Sequence, residues 1–375
     1  MASPSICTRC ALRIQRASSS SSPTTTRSFS STPSFKRAVP TFAETANPEL
    51  NDILSTIRSK HFIPAYLRNR ERRAIFGDKN RQNLIDNPQS VVLGDEEIQL
   101  QWINRRREIP NRNALITKAI NLMLASETKD WGKNLPALLQ GLNEGVKKSV
   151  DTALMEKVLR KAAEMGKLGT VLPCMQRASK TNMTLKNEAI LRCVVLGLHA
   201  SGARNGWNKG SLEKAIRDSN VVALMLESAD HGTQSVMSEN DPRTRPFVLG
   251  TWLELVAAYA YKYQGGKDSA EGVVKTYTAR LLSRLAESGT EPPQITVLEK
   301  GMQWPILQAI PVWHGLYLAQ KLLGNEMPNP NVAREALASY EGAISNAVSE
   351  LEAQSPTVGS YPAQAVDAWK SCIRE

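Results

Sequence analysis

Arginines concentrated in one short stretch are the residues best suited to chemistry in this chain. Between positions 58 and 81 there are eight basic and two acidic residues, and six of the eight are arginines. A guanidinium group presents a planar fork of N–H donors that suits phosphate oxygens. The pattern therefore indicates a surface for a nucleic-acid backbone. The residues that we predict to bind RNA are Arg58, Arg68, Arg70, Arg72, Arg73, Lys79, Arg81, Arg105, Arg106, Arg107 and Arg112.

Aromatic residues are interleaved with these cations, at Phe62, Tyr66, Phe76 and Trp102. Rings in such positions could stack on unpaired bases, as they do in many proteins that hold single strands. A surface of this kind would bind RNA with a strong salt dependence. Two other interpretations stay open, namely a solvated basic helix face and an arm docked on an acidic protein.

Groups typical of catalysis are not clustered in the sequence. The four histidines, His61, His199, His231 and His314, lie far apart, and the sequence has no zinc-protease, phosphate-loop or nucleophile-elbow motif. His199 and His314 lie in apolar helical stretches, so we expect them to be packed side chains. We predict no catalytic, cofactor or metal residues and a chain that is not an enzyme. An active site assembled from distant positions is the alternative.

Residues 1–43 have the composition of a mitochondrial transit peptide, with six basic residues, no acidic residue and many hydroxyl side chains. A cationic segment is drawn toward the negative side of the inner membrane, and carboxylates would oppose that force. Arg27 lies two residues before Phe29, which resembles the site of the matrix processing peptidase and predicts a mature chain that begins near Ser30. We therefore expect a mitochondrial matrix protein; a disordered Ser/Thr-rich tail is the alternative.

Removal of this segment would change the charge balance of the chain. Residues 1–43 contribute six of the eleven net positive charges, and residues 119–375 are nearly balanced, with 28 basic and 26 acidic residues. The positive charge that remains is concentrated near the new N-terminus, where it favours an anionic partner. The sequence contains no run of about 18 apolar residues, so we predict no transmembrane helix.

The elements that must position the basic residues are mostly helices. Leu50, Ile53, Leu54 and Ile57 fall at helical spacing, so residues 44–60 are predicted to contain an amphipathic helix. Two β-prone runs flank Gly94 and Asp95, which fits either a small hairpin or a strand followed by a helix. Further along, the pattern predicts helix pairs at 113–126 with 130–146, 151–165 with 168–180, and 184–201 with 211–228. Later helices are predicted at 246–264, 269–287, 304–324, 331–353 and 361–373.

The first three pairs begin at a step of about 34 to 37 residues, the range of helical-hairpin repeats. Stacked hairpins of this kind form a curved solenoid with a concave groove. The motifs VDTALM at 150–155 and AEMGKL at 163–168, with Leu172, Met175 and Thr184, are similar to one pentatricopeptide repeat. The C-terminal half fits a tetratricopeptide-like array or a plain helical bundle. The resemblance implies a mitochondrial protein that associates with RNA or with the ribosome.

These observations predict an all-α fold of stacked helical hairpins, preceded by a basic extension that can contain a short β-hairpin. The expected organisation is a transit peptide (1–43), a basic arm (44–112), pentatricopeptide-like hairpins (113–230), a linker loop (231–245) and a C-terminal helical domain (246–375). Whether the two helical blocks form one domain stays open. The expected function is a non-enzymatic role in mitochondrial gene expression, with mitochondrial RNA or the mitochondrial ribosome as partner. The alternative is an assembly factor for a respiratory-chain complex that holds a protein in its helical groove.

Overall fold

The computed structural model of the chain describes residues 38–126, 131–232, 241–293 and 304–374. The predicted transit peptide, with Arg27, Phe29 and Ser30, lies outside the described residues. Within the described ranges no helix has both the length and the apolar character that a bilayer crossing needs.

The N-terminal part contains short helices and one strand pair. The helices are α1 Pro48–Ile57, α2 Ile63–Tyr66, α3 Asn69–Phe76 and α4 Arg81–Asp86, and the strands are β1 Ser90–Leu93 and β2 Glu96–Gln99. A π-helical turn, Arg58–Phe62, joins α1 to α2, and a 3-10 turn, Asp78–Asn80, precedes α4.

The remaining described chain is helical. Its first part contains α5 Arg112–Ala125, α6 Trp131–Gln140, α7 Thr152–Glu164, α8 Leu172–Met175 and α9 Ala178–Thr181. Its second part contains α10 Glu188–Trp207, α11 Lys209–Leu226, α12 Pro246–Tyr263, α13 Val273–Ser288, α14 Trp304–Leu323, α15 Pro330–Ala353 and α16 Tyr361–Ser371.

Helix α1 is the amphipathic helix that the sequence predicts. It begins after Asn47, whose side chain accepts a hydrogen bond from the Leu50 N–H at 3.2 Å and so satisfies one free donor of the first turn. Its apolar stripe faces inward, and the buried residues are Leu50, Ile53, Leu54 and Ile57. This stripe packs against α5, so the N-terminal part is fixed to the helical body through a shared core.

The strand pair is the hairpin, one of the two alternatives at 90–100. β1 and β2 are antiparallel, with Val92 opposite Glu97. Gly94 adopts a positive φ of 64° at the turn, a conformation that glycine tolerates without a Cβ penalty. Leu93 is buried, and it connects the hairpin to the core.

The long helices pack in a row along the body. α5 contacts α7, α7 contacts α10, α10 contacts α12, and α12 contacts α14, while the intervening helices form a second layer in which α13 contacts α15. Helix α16 then returns to contact α10, α14 and α15. The predicted all-α class and the short β-hairpin are confirmed.

The second helix of the repeat-like unit, predicted at 168–180, is not one helix. The segment is divided into a 3-10 turn, Leu168–Thr170, followed by α8 and α9. Pro173 lies in the first turn of α8, where it has no N–H to donate to a preceding turn, and Arg177 leaves the helical region between α8 and α9 with φ −112° and ψ 37°. The prediction of continuity was wrong because apolar spacing alone does not register these two breaks.

Two aromatic side chains attach the N-terminal part to the body. A π-helical turn, Gly141–Val146, follows α6 and contacts the turn that joins α1 to α2. A Cβ on Gly141 would lie 2.1 Å from Phe62 Cε2, and a Cβ on Gly145 would lie 2.2 Å from Tyr66 Cε2. Both rings therefore occupy space that only glycine leaves open.

Candidate nucleic-acid interface

Two of the predicted RNA-binding arginines are held by the protein itself. Arg58 forms an ion pair with Glu96, and its Nε donates to the Pro40 carbonyl at 3.2 Å. The Arg72 guanidinium donates to the carbonyls of Pro64, Ala65 and Leu67 at 2.9 to 3.3 Å.

Arg72 thereby satisfies carbonyls at the C-terminal end of α2, which have no partner within that helix. Because Arg72 itself lies in α3, these hydrogen bonds fix α3 against α2. Arg58 likewise fastens the β-hairpin to the end of α1. These contacts give both arginines a structural role and leave fewer of their donors for a phosphate.

A short turn brings the two predicted clusters, 58–81 and 105–107, together. The Asn104 Oδ1 accepts hydrogen bonds from the backbone N–H groups of Arg106 and Arg107, at 3.1 and 3.2 Å. The Ile103 N–H donates to the Ile75 carbonyl at 2.8 Å. The turn is therefore hydrogen-bonded to α3, and its three arginines lie beside those of α3.

An ion pair between Lys60 and Glu108 also holds this turn, with Nζ and Oε2 2.9 Å apart. The hydrogen bonds from Lys60 and from the Asn104 N–H hold the pKa of Glu108 below its usual range. The carboxylate of Glu108 is therefore already occupied by Lys60 and by the turn.

Two arginines cover aromatic rings where the clusters meet. The Arg81 guanidinium carbon lies 4.9 Å from the centroid of the Trp102 ring, and that of Arg105 lies 5.8 Å from the centroid of Phe76. Cation–π contacts at exposed sites contribute about 0.5–1 kcal/mol. These contacts place both guanidinium groups over the rings while the two arginines stay exposed.

The exposed cations of this region form a surface that we call the basic face. It consists of Arg68, Arg70, Arg73, Lys79, Arg81, Arg105, Arg106 and Arg107. In the part of the chain that the structure describes, none of these eight side chains forms an ion pair. The basic face is therefore a concentration of positive charge that no carboxylate among the described residues pairs with.

Arg112, the last predicted residue, lies at the edge of this region. It is half-buried at the start of α5. Burial, and secondarily the charge of Arg112, lowers the pKa of His61. The charge of Arg112 is therefore felt by the half-buried imidazole of His61.

The expectation that aromatic rings stack on bases was wrong for Phe62, whose side chain is fully buried. Tyr66 is half-buried against Gly145, and Trp102 and Phe76 lie half-buried under arginines. Burial of these rings stabilises the fold, because each ring removes a large apolar area from water. Among the described residues of this surface, the rings are thus buried or partly covered, and none of the four is fully exposed.

A second polar cluster, which we call the Glu254 cluster, lies in the core. Glu254 is fully buried, and its two carboxylate oxygens lie 2.6 Å from His199 Nδ1 and 2.7 Å from His314 Nδ1. Trp207 packs against both imidazoles. His314 Nε2 accepts a hydrogen bond from the Ile373 N–H at 2.9 Å, so the proton of His314 lies on Nδ1 and points to the carboxylate.

Burial alone would raise the pKa of Glu254, but the charge and hydrogen bond of His199, with the hydrogen bond of His314, lower it to about 2. The carboxylate is therefore ionised in the core. The expectation that both histidines are packed side chains is confirmed. Their shared partner was missed, although a single acid in the apolar run of α12 was a usable signal.

The chain resembles one family and one curated relative. The family model described as "Mitochondrial ribosomal protein mS27" matches residues 27–371, which include both the basic face and the Glu254 cluster. The small ribosomal subunit protein mS27 of Neurospora crassa is 25% identical over 230 residues, which cover 59% of this chain and 57% of that protein. The matched part thus spans a little over half the length of that relative.

Proposed function

The chain belongs to the mitochondrial ribosomal protein mS27 family, and from that premise we propose that it is a non-enzymatic component of the mitochondrial ribosome that contacts RNA through its basic face. The observation that carries the proposal is the set of eight exposed cations with no ion pair among the described residues. An uncompensated surface of this kind suits a polyanion better than an electrically neutral protein partner.

The predicted residues have two different roles in the proposed contact with RNA. The exposed arginines and Lys79 would contact phosphates directly, whereas Arg58 and Arg72 would hold the elements that carry them. Because an Arg fork can bind phosphate in a bidentate way, replacement by Lys would weaken the contact without reversing its sign. The proposed role is in mitochondrial gene expression, through the small ribosomal subunit named in the relative's description.

The mitochondrial family supports the import signal that the first 43 residues suggest. We propose that the protein acts in the matrix, and that Arg27, Phe29 and Ser30 mark its processing site. N-terminal sequencing of the protein isolated from mitochondria tests this assignment, and a mature chain that retains the first 26 residues would contradict it.

The pentatricopeptide-like character of 113–230, and the domain limits 44–112, 113–230, 231–245 and 246–375, are also proposals. They are supported by the row of packed helices α5, α7, α10 and α12, which is how stacked hairpins bury their faces. The break between α8 and α9 counts against a regular repeat at 168–180.

The proposed function is tested by co-sedimentation of the full chain with mitochondrial small subunits. Charge reversal of Arg70, Arg73 and Arg106 to Glu should release the protein from the subunit as salt is raised, at a lower concentration than for the wild type. The matched control reverses Arg217, Lys267 and Arg334, which are exposed cations of the C-terminal half, to Glu.

Equal release of the two triple variants would contradict the proposal. Association with a respiratory-chain complex that survives ribonuclease, without sedimentation with subunits, would favour the alternative of an assembly factor. Thermal unfolding followed by circular dichroism should be alike for all three proteins, which shows that a difference in sedimentation reflects the surface.

A further inference from the structure

A second group of exposed cations lies on the first two helical hairpins, outside the residues predicted to bind RNA. It consists of Lys147, Lys148, Arg177 and Lys180, and we call it the hairpin cluster. Within the described ranges none of these four side chains takes part in an ion pair. They are scattered over 34 positions of sequence, so only the fold brings them together.

Backbone geometry assembles the hairpin cluster. Lys147 adopts a left-handed conformation, with φ 55° and ψ 39°, that ends the π-helical turn after α6. The side chain of Asn143, in that turn, donates to the carbonyls of Ser179 and Lys180 at 3.3 and 3.0 Å. The turn that carries Lys147 and Lys148 is thus bonded to α9, which carries Lys180.

The hairpin cluster adjoins the basic face. The ring of Tyr66 contacts Gly145. A Cβ at that position would lie only 2.2 Å from Tyr66 Cε2. Arg68 follows Tyr66 by two residues, and Lys147 follows Gly145 by two residues. Two residues span at most about 7 Å of extended chain. Arg68 of the basic face and Lys147 of the hairpin cluster therefore each lie within about 7 Å of chain from the same contact, which is where the two groups adjoin.

Few acids interrupt this surface. Glu144 accepts a hydrogen bond from Gln140 Nε2 at 2.8 Å, and Glu71 accepts one from the Arg68 N–H at 2.7 Å. Asp78 and Asp151 are exposed at its margins. With Asp86 of α4 and Glu108 of the turn at 104–108, six carboxylates lie among the twelve cations, so the surface keeps a net positive charge.

The partial burial of the aromatic rings favours one of two kinds of RNA. Proteins that hold single strands without sequence preference combine a cationic groove with rings on which bases stack. Double-stranded RNA is held instead through its phosphates and sugars and through the shape of the helix. Of the four predicted stacking residues, Phe62 is buried, Tyr66 is half-buried against Gly145, and Phe76 and Trp102 are half-buried under Arg105 and Arg81.

We propose that the hairpin cluster extends the basic face into one phosphate-binding track, and that the partner of this track is the backbone of double-stranded RNA. The inference rests on the proposed function, because it names the class of RNA that the same surface binds. In this arrangement arginines of α3 and of the turn at 104–108 contact one part of the duplex. Lysines of the π-helical turn and of α9 contact the next phosphates along it.

The test titrates the full chain with a hairpin RNA of about 16 base pairs, the length that double-strand-binding domains cover, and with an unpaired strand of equal length. The hairpin should bind at least about tenfold more tightly than the single strand. Reversal of Lys147, Lys148 and Lys180 to Glu should weaken hairpin binding by about 10- to 100-fold and reduce the slope of log Kd against log salt by about 2 to 3.

The control is again the triple variant with Arg217, Lys267 and Arg334 changed to Glu, which has the same net charge. It should bind the hairpin within about threefold of the wild type, since its changed residues lie outside the track, and its salt slope should be unchanged. Equal losses in the two triple variants would overturn the extension of the track.

Equal or tighter binding of the single strand would overturn the choice of double-stranded RNA. Either failure is distinguishable from failure of the proposed function, which is measured by co-sedimentation with subunits and by the Arg70, Arg73 and Arg106 variant. A chain that binds neither RNA, although its Arg70, Arg73 and Arg106 variant is released from subunits at lower salt than the wild type, would sink this inference alone.

Discussion

Eight cations on the basic face are exposed and have no carboxylate partner in the described chain, whereas Glu254 in the core is fully buried and bonded to two imidazoles. The first region leaves charge available to a partner from outside. In the second region, imidazoles from α10 and α14 bond both oxygens of the carboxylate. The difference shows that the number of charged residues is a poor guide to function. Whether each charge has a partner within the fold is a better one.

The pairing also differs in its structural consequence. In the Glu254 cluster the carboxylate of α12 links α10 and α14. His314 also accepts a hydrogen bond from the Ile373 N–H, which lies just after α16. Beside the basic face, Arg72 and Arg58 join short elements, whereas the side chains of Arg70 and Arg73 form no ion pair within the described residues. Substitutions should therefore separate into those that lower stability and those that lower binding.

The largest expected effect is on the core side of this comparison. Glu254→Ala should reduce the free energy of unfolding by about 3–5 kcal/mol, because it leaves two buried imidazoles without their acceptor. Urea unfolding of the purified chain measures the change. Glu335→Ala, at an exposed acid of α15, is the control and should alter stability by about 0.5 kcal/mol or less. A loss under 1 kcal/mol for Glu254→Ala would remove the contrast between the regions.

The next effect is a dependence of stability on acid. The folded pKa of Glu254, about 2, lies below its ordinary value of 4.5. A lowered carboxyl pKa stabilises the fold above the unfolded value, and that contribution is lost as pH falls from 4.5 toward 2. The lost contribution is on the order of 3 kcal/mol.

The free energy of unfolding of the wild type should therefore fall more steeply between pH 5 and pH 3, pH values chosen around the ordinary pKa of 4.5, than that of Glu254→Gln. Denaturant titrations at several pH values give both slopes. Parallel curves for the two proteins would show that Glu254 does not titrate as the structure indicates.

The smallest effect compares neighbours within α3. Arg72→Ala removes hydrogen bonds to three backbone carbonyls and should lower the free energy of unfolding by about 1–3 kcal/mol. Arg70→Ala should change it by about 0.5 kcal/mol or less, yet should weaken RNA binding more than Arg72→Ala does. Urea unfolding and RNA titration of the same two preparations decide the point, and a reversed order in either measurement would contradict the assignment of roles.

The sequence predicted most helices and the concentration of cations between positions 58 and 112, because apolar periodicity and local charge are properties of neighbouring residues. Segment 168–180 failed because Pro173 and the non-helical Arg177 interrupt a stripe that looks continuous. Which arginines are free could not be predicted, since Arg58 finds Glu96 only after the β-hairpin forms. Glu254 meets histidines 55 and 60 positions away, a distance at which local pattern carries no information.

The contact of Phe62 and Tyr66 with Gly141 and Gly145 has a mechanical consequence. The two rings are four residues apart, as are the two glycines, so each ring fits one open position of the facing turn. A shift by one residue would place a ring against a Cβ, so one register is strongly favoured. The segment that leads into the basic face is therefore held in one register against the turn after α6, so a force on the basic face would pass into the helical body through this contact.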